Sequence, residues 1–240
     1  MVAFLDFLKR SRAELSDAIG AGRYENFSAL NAARFRATRA MIASHATGRV
    51  LDVGCGHMPF RSTALAHAES YEGFDVERRA EGVAHVGNAE AMTEIAPGAY
   101  QTVFSFEVLE HLPHPQLAVA EMARVLAPGG ALLITVPHLS RLHEEPHDYF
   151  RYTTHGLRTM LTDAGLVVER IEPTAGLLSF LAHQFSTVIL GLAWPVPGLR
   201  QLVYGINQVL FVWPVLWLDR AIDRRGLFAL GYAAVARKPR

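Results

Sequence analysis

The sequence predicts an α/β protein in which a mostly parallel sheet is covered by helices on both faces. Short apolar and β-branched runs alternate with helix-periodic stretches between Arg49 and Ile171. The first of these runs ends in a glycine turn, Gly54-Cys55-Gly56. With 240 residues, 50% of them hydrophobic and 19% charged, the chain can bury one substantial core with elaborations around it.

In chain order, Leu5, Leu8, Leu15, Ile19, Phe27, Leu30, Phe35, Met41 and Ile42 recur at helical intervals from about Leu5 to Ser44. Gly20-Ala21-Gly22 breaks that stretch into two expected helices. Strands are expected at Arg49–Val53, Ser70–Asp75, Val83–Val86, Thr102–Phe106, Ala131–Val136, Val167–Ile171 and Gly231–Arg237. Helices fit between them at Ser62–His67, Gln116–Leu126 and Thr154–Ala164. After Pro173 the alternation stops. Residues 174–199 contain no Asp, Glu, Lys or Arg, and a second uncharged run follows from Gln201 to Leu218. Pro195, Pro197 and Gly198 interrupt the first run, which predicts a helical hairpin inserted before the last strand. The expected organisation is a helical cap over 1–46, a core over 47–173 and 227–240, and an apolar hairpin over 174–226.

A single cysteine, Cys55, excludes an internal disulfide and any multi-cysteine metal site, and fits a cytoplasmic protein. The start of the chain lacks the long apolar core of a signal peptide. Net charge is zero but unevenly placed, with both ends basic and residues 50–199 acidic. An acidic centre argues against nucleic acid and suits a cationic cofactor. No metal-ligand spacing stands out, so no metal is expected.

A strand ending in Asp52-Val53-Gly54-Cys55-Gly56 puts an acid and two glycines where the chain turns tightly and a ligand can approach the backbone. A second strand-end acid, Asp75, follows 23 residues on, the spacing at which a carboxylate meets a ribose hydroxyl pair. Together they predict a nucleoside ligand. NAD is the alternative, but its third glycine is missing where Met58 and Pro59 stand. An acid beside the glycines repels a pyrophosphate and suits an amine or a sulfonium, which favours S-adenosylmethionine.

The sequence resembles the class I S-adenosylmethionine-dependent methyltransferases, within the broad group of small-molecule enzymes. Five segments carry the resemblance in order: Val50–Gly56, Gly73–Asp75, Gly87–Glu90, Phe106–Leu112 and Arg124–Gly130. It implies a Rossmann-like seven-stranded sheet, mostly parallel with an antiparallel last strand. It further implies that Gly54, Cys55 and Gly56 pass under the methionine portion of the cofactor and that Asp52 reaches its ammonium. Asp75 then holds the ribose, Asn88 and Ala89 flank the adenine, and Glu107 lies beside the methionine end. The chain departs from the pattern at Met58, often glycine, and at Gln101, often aspartate.

Methyl transfer from a sulfonium chiefly requires that the acceptor be positioned, with a base only where the acceptor must lose a proton. The loop His143–Tyr152 is dense in titratable and aromatic residues and follows the fifth strand, so it faces the acceptor side. Its Pro-His-Asp-Tyr-Phe-Arg-Tyr segment resembles that of a subset of these enzymes associated with polysaccharide or cell-envelope pathways. His147 or Asp148 is expected as the acceptor's base and Arg151 or Tyr152 as its orienting group. Alternatively, Arg151 pairs with Asp148 or Glu110 to lock the loop, and His147 caps the next helix. His111 is expected to act either in catalysis or in support of a residue that does.

The hairpin carries a stripe of Leu202, Ile206, Val209, Trp213 and Leu216. A substrate lid, a homodimer interface and peripheral membrane contact are all compatible with it. In the last case Trp194, Trp213 and Trp217 act as boundary anchors, with Arg200, Arg220, Arg224 and Arg225 near anionic head groups. The expected function is methylation, chiefly at oxygen, of a small or lipid-linked acceptor. A protein that binds the cofactor without turning it over is the alternative.

Overall fold

The computed structural model describes residues 24–196, 198–223 and 226–240. The expected N-terminal helix before Gly20 and the break after it lie outside the described residues. Two compact units emerge. One comprises the described residues up to Arg36 together with Pro173–Leu230, and the other comprises Ala37–Glu172 with Gly231–Arg240. The segment before Arg36 and the apolar hairpin form one unit, because Ala29 and Ala32 share a buried cluster with Ala182, Val212 and Leu216.

The second unit is built on seven strands in the order β3-β2-β1-β4-β5-β7-β6. They are β1 (Arg49–Val53), β2 (Ser70–Asp75), β3 (Val83–Val86), β4 (Tyr100–Phe106), β5 (Leu126–Pro137), β6 (Val167–Pro173) and β7 (Gly231–Arg237). β1 pairs parallel with β2 and β4, β2 with β3, and β4 with β5, while β7 runs antiparallel to β5. Val50, Leu51 and Val53 of β1 and Leu132, Leu133 and Ile134 of β5 are fully buried, as strands covered on both faces must be. β5 starts earlier than expected because Leu126 pairs with Tyr100 before the register shifts to Thr102 and Ala131. A side chain at Gly130 would collide with the Ala127 and Gln101 carbonyls.

The helices are α1 (Ala29–His45), α2 (Arg61–Leu65), α3 (Pro115–Val125) and α4 (Thr154–Asp163), with a 3₁₀ turn at Leu109–His111. Pro115 occupies the first turn of α3, where its missing N–H costs nothing. Lys238 Nζ closes the other end by donating to the carbonyls of Ala123 and Leu126 at 2.8 Å each. Thr153 caps α4 by accepting from Gly156 N at 3.1 Å, so His147 is not the cap.

In the first unit, α5 (Leu177–Ala193) is followed by α6 (Leu199–Asn207), a π-helical turn at Gln208–Val212 and α7 (Trp213–Ile222). Pro214 cannot donate to the preceding turn, which accounts for the widened helix just before it. Asp219 caps α5 from another helix, accepting from Gly176 N at 2.8 Å, Leu178 N at 2.9 Å and Ser179 N at 3.2 Å. Beside the apolar clusters of Phe27, Leu190 and Trp194 and of Ala182, Val212 and Leu216, the unit's interior holds small and polar residues. Ser179, Ala182, His183, Ser186 and Asn207 are buried. Ser186 Oγ donates to Asn207 Oδ1 at 2.6 Å, and Asn207 Nδ2 donates to the Phe27 carbonyl at 3.0 Å. Large apolar side chains face outward instead: Leu181, Phe185, Leu202, Ile206, Val209, Trp213 and Trp217, the last 76% exposed. The expected stripe therefore divides, with Leu216 buried and its other four members exposed.

Candidate active site

The strand order reverses between β1 and β4, and in such sheets ligands bind outside the carboxyl ends of the strands at that point. The second unit brings the glycine turn after β1, Asp75 after β2, Glu107–His111 after β4 and the loop after β5 to this edge.

Gly54 and Gly56 both have left-handed φ, at 74° and 51°. At Gly54 a Cβ would fall 2.4 Å from Val108 Cγ2, so glycine is needed there for space as well as for conformation. At Gly56 a Cβ would meet nothing within 4 Å, so the turn presents bare backbone to open space. The turn is held by Gly54 N and Cys55 N, which donate to the Phe74 carbonyl, and by Gly56 N, which donates to Asp75 Oδ2 at 2.8 Å. Cys55 is buried against Gly73, and burial pushes its thiol up to about 12, which makes it a packing residue.

Asp52 is buried and accepts a hydrogen bond from the Tyr71 hydroxyl. Desolvation pushes its carboxyl up to about 7 despite that bond, and the charge of Asp75 adds to the effect. Asn88 is exposed and its Oδ1 accepts from Glu90 N at 2.9 Å, while neighbouring Ala89 is buried.

Among the described residues the non-glycines with left-handed φ are Met58 (54°), Glu107 (56°) and Glu144 (52°). All three lie in the loops of this edge, where strained backbone concentrates in functional sites. Met58 thus keeps the conformation that glycine adopts easily. Gln101, the other departure, lies at the opposite end of β4, where its Oε1 accepts from Arg49 N at 2.9 Å. It is a structural residue remote from this edge.

The loop after β5 is stitched to the 3₁₀ turn. Tyr149 N donates to the Glu110 carbonyl at 2.8 Å, and Tyr152 Oη donates to the Leu109 carbonyl at 2.8 Å. Arg151 grips Asp148 with both terminal nitrogens, at 2.6 and 2.7 Å, and also donates to the carbonyls of Ser140, Arg141 and Phe150. His143 N adds a bond to Asp148 Oδ2 at 2.8 Å. These contacts hold the Asp148 carboxyl far below the usual carboxylate range, the Arg151 bond first among them.

These contacts favour the alternative in which Arg151 pairs with Asp148 to lock the loop. Asp148, held by both terminal nitrogens of Arg151, is poorly placed to take an acceptor's proton. Arg151 and Tyr152 are committed to the loop rather than to an acceptor. His147 remains exposed, with Nδ1 sharing a 3.2 Å hydrogen bond with Tyr149 Oη.

Sequence spacing missed one grouping. Glu110, His111 and His143 place ligand atoms within 4.8 Å of one another, and the Glu110 side chain is fully buried. Its signal is faint in the sequence because the third member arrives on a different loop.

A protein-family model described as a methyltransferase domain matches residues 24–171. The ubiquinone biosynthesis O-methyltransferase of Dechloromonas aromatica is 30% identical over 114 residues, covering 42% of this chain and 47% of that protein. Its counterpart from Burkholderia pseudomallei is 34% identical over 157 residues, covering 53% and 68%. The match thus spans about half the length of the first relative. A solved Haemonchus contortus phosphoethanolamine N-methyltransferase 2, in complex with S-adenosyl-L-methionine, shares the fold with a TM-score of 0.56 and 18% identity, covering 96% of this chain and 60% of that one. Sheet order, glycine turn and family match agree: the chain belongs to the class I S-adenosylmethionine-dependent methyltransferases.

Proposed function

We propose that the protein methylates an oxygen of a small or lipid-linked acceptor and works against a membrane surface. The observation that carries the chemistry is the bare-backbone turn Gly54–Gly56 flanked by two strand-end carboxyls, Asp52 and Asp75. Those residues fit S-adenosylmethionine: Asp52 takes the ammonium, Asp75 the ribose hydroxyls, Asn88 and Ala89 the adenine, and Cys55 and Glu107 the methionine end. When bound, the cofactor supplies a methyl group on a positively charged sulfur. The chain's own work is to fix the acceptor in line and to receive its proton, for which exposed His147 is the candidate base. Oxygen is favoured because the curated relatives are O-methyltransferases. They lend no support to the cell-envelope pathway that the loop resemblance implied.

The membrane part rests on the inverted hairpin. A water-soluble unit buries most of its large apolar residues, whereas α5–α7 bury serine, histidine and asparagine beside a few apolar residues such as Leu190, Val212 and Leu216, and expose most of their leucine, phenylalanine and tryptophan. Small residues and polar contacts between helices, with apolar side chains outside, are the pattern of helices packed in lipid. The helix Leu199–Asp219 is long and apolar enough to cross a membrane, and only 17% of its apolar window is buried. Arg200, Arg220, Arg224 and Arg225 supply the positive charge that anionic lipid attracts.

Two measurements test the proposal. Release of S-adenosylhomocysteine is followed with phenols, catechols and their prenylated forms; cofactor binding without turnover on any of them favours the non-catalytic partner. Flotation with anionic vesicles is expected for the intact chain and lost on W213D/W217D. A chain that forms a stable dimer and does not float refutes the membrane reading.

A further inference from the structure

Arg141 lies in the loop after β5, at the carboxyl edge of the sheet. Its backbone is fixed. The Arg141 carbonyl accepts from Arg151 Nη2 at 2.7 Å, and the preceding Ser140 carbonyl accepts from Arg151 Nε at 3.1 Å. Its side chain, by contrast, is nearly idle: Nη1 donates to the neighbouring Leu142 carbonyl at 2.9 Å, and the rest of the guanidinium fork is unused. Among the described residues no carboxylate lies within ion-pair distance of it. The acid that pulls on it from farther off, Asp148, is already gripped by both terminal nitrogens of Arg151. Arg141 is open to solvent, yet surrounding protein desolvates it and lowers its pKa from the ordinary value, with Asp148 opposing the shift and Arg151 adding to it. A guanidinium both open and desolvated stands in a recess, and one held there without a counter-charge is short of an anion. An arginine with no such role can carry its head into water, where that cost does not arise. Tyr149 and Phe150, 45% and 38% exposed, offer ring surface on the same loop.

We propose that Arg141 is a specificity-determining residue that binds an oxyanion, a carboxylate or a phosphate, carried by the acceptor alongside the hydroxyl to be methylated. The planar guanidinium fork matches either group with two parallel hydrogen bonds. Gripping the acceptor at a second point fixes where its hydroxyl lies, which is what in-line transfer requires. Arg151 then has a defined task. Locked to Asp148, it holds the carbonyls of Ser140 and Arg141 and so sets the base from which the Arg141 side chain extends. The methylation of that acceptor rests on the O-methylation reading; the binding of the anion does not.

The test uses the full chain saturated with S-adenosylhomocysteine and two matched pairs of probes, 3,4-dihydroxybenzoate against catechol and phenyl phosphate against phenol, with affinity read by calorimetry. The wild type is expected to hold at least one charged probe at least about 10-fold more tightly than its uncharged counterpart. Which pair shows the preference tells carboxylate from phosphate. Arg141→Gln should erase that preference and Arg141→Lys keep part of it, with S-adenosylhomocysteine affinity checked in both as evidence of folding. Arg141→Met replaces a variant that fails the check. Equal affinity within both pairs for the wild type, or a preference that survives in folded Arg141→Gln, overturns the subsite. Lost flotation of Arg141→Gln with anionic vesicles, the probe preference staying intact, assigns the arginine to a lipid headgroup and overturns it as well. A preference with no methyl transfer to any acceptor upholds the subsite and counts against the O-methylation reading. Methyl transfer to catechol with no preference within either pair overturns the subsite and leaves that reading intact.

Discussion

Asp52→Asn tests the electrostatics under the glycine turn. The wild-type carboxyl is raised from an ordinary 3.8 to about 7, chiefly by burial. A raised acid binds its proton more tightly in the folded state, so its penalty to stability grows as pH rises from about 4 and is complete above about 7. At about 1.36 kcal/mol per pH unit, the penalty is roughly 2 kcal/mol at pH 5 and on the order of 4 kcal/mol at pH 8. Asparagine keeps an oxygen for the Tyr71 hydroxyl and never ionises. The variant without cofactor should therefore gain on the wild type by about 2–3 kcal/mol between pH 5 and pH 8. Urea denaturation of both proteins at several pH values measures this, and other titrating groups cancel in the difference. A difference that stays flat, or falls as pH rises, refutes the reasoning. The same logic reverses with cofactor present. A cationic ligand favours the ionised carboxyl, so wild-type affinity should fall as pH drops below about 7 while that of Asp52→Asn stays flat.

Three further outcomes follow from local contacts. Asp219→Ala strips an acceptor from three amides at the start of α5 and should cost about 2–4 kcal/mol, read as lost helical circular dichroism and a lower urea midpoint. Lys238→Met removes the charged donor at the end of α3 and should cost about 1–3 kcal/mol by the same denaturation. Met58→Gly relieves about 1 kcal/mol of left-handed strain but deletes a buried side chain worth about 2–5 kcal/mol, so the midpoint should fall; a rise would show that strain dominates.

The sheet was legible because parallel strands buried on both faces must be written as short apolar runs. Arg49–Val53 and Ser70–Asp75 fall where the pattern puts them, as do the less buried Val83–Val86 and the antiparallel Gly231–Arg237. The early start of β5 was not legible, since the pairing of Leu126 with Tyr100 is a register matter that Ala127-Pro128-Gly129-Gly130 conceals as a turn. The cofactor edge was legible through residues close together in sequence. The acceptor side was not, because partners there are chosen across loops. Arg151 could have oriented an acceptor by residue type alone, and only its bonds to Asp148 and three carbonyls show it committed. Conversely, nothing near Glu110-His111 announces that His143 will join them.

The hairpin exposes a deeper limit of pattern reading. Periodicity reports that a helix has two unlike faces, but not which face the fold will bury. For Leu202, Ile206, Val209 and Trp213 the ordinary assumption sends the apolar face inward, whereas here that face is open and the buried one is tied by Ser186, Asn207 and Asp219. Burying a side chain of that size gains about 1.5–3 kcal/mol, so leaving several outside forgoes stabilisation that a covering surface would supply. The polar bonds inside give the hairpin one defined packing whatever covers its outside. A lid would lose its apolar exposure on closing and regain it with each opening, whereas a lipid surface covers it continuously. Under the proposed membrane contact the hairpin bears on the acceptor as well as on location, since a chain held at a bilayer would meet substrates that reside there.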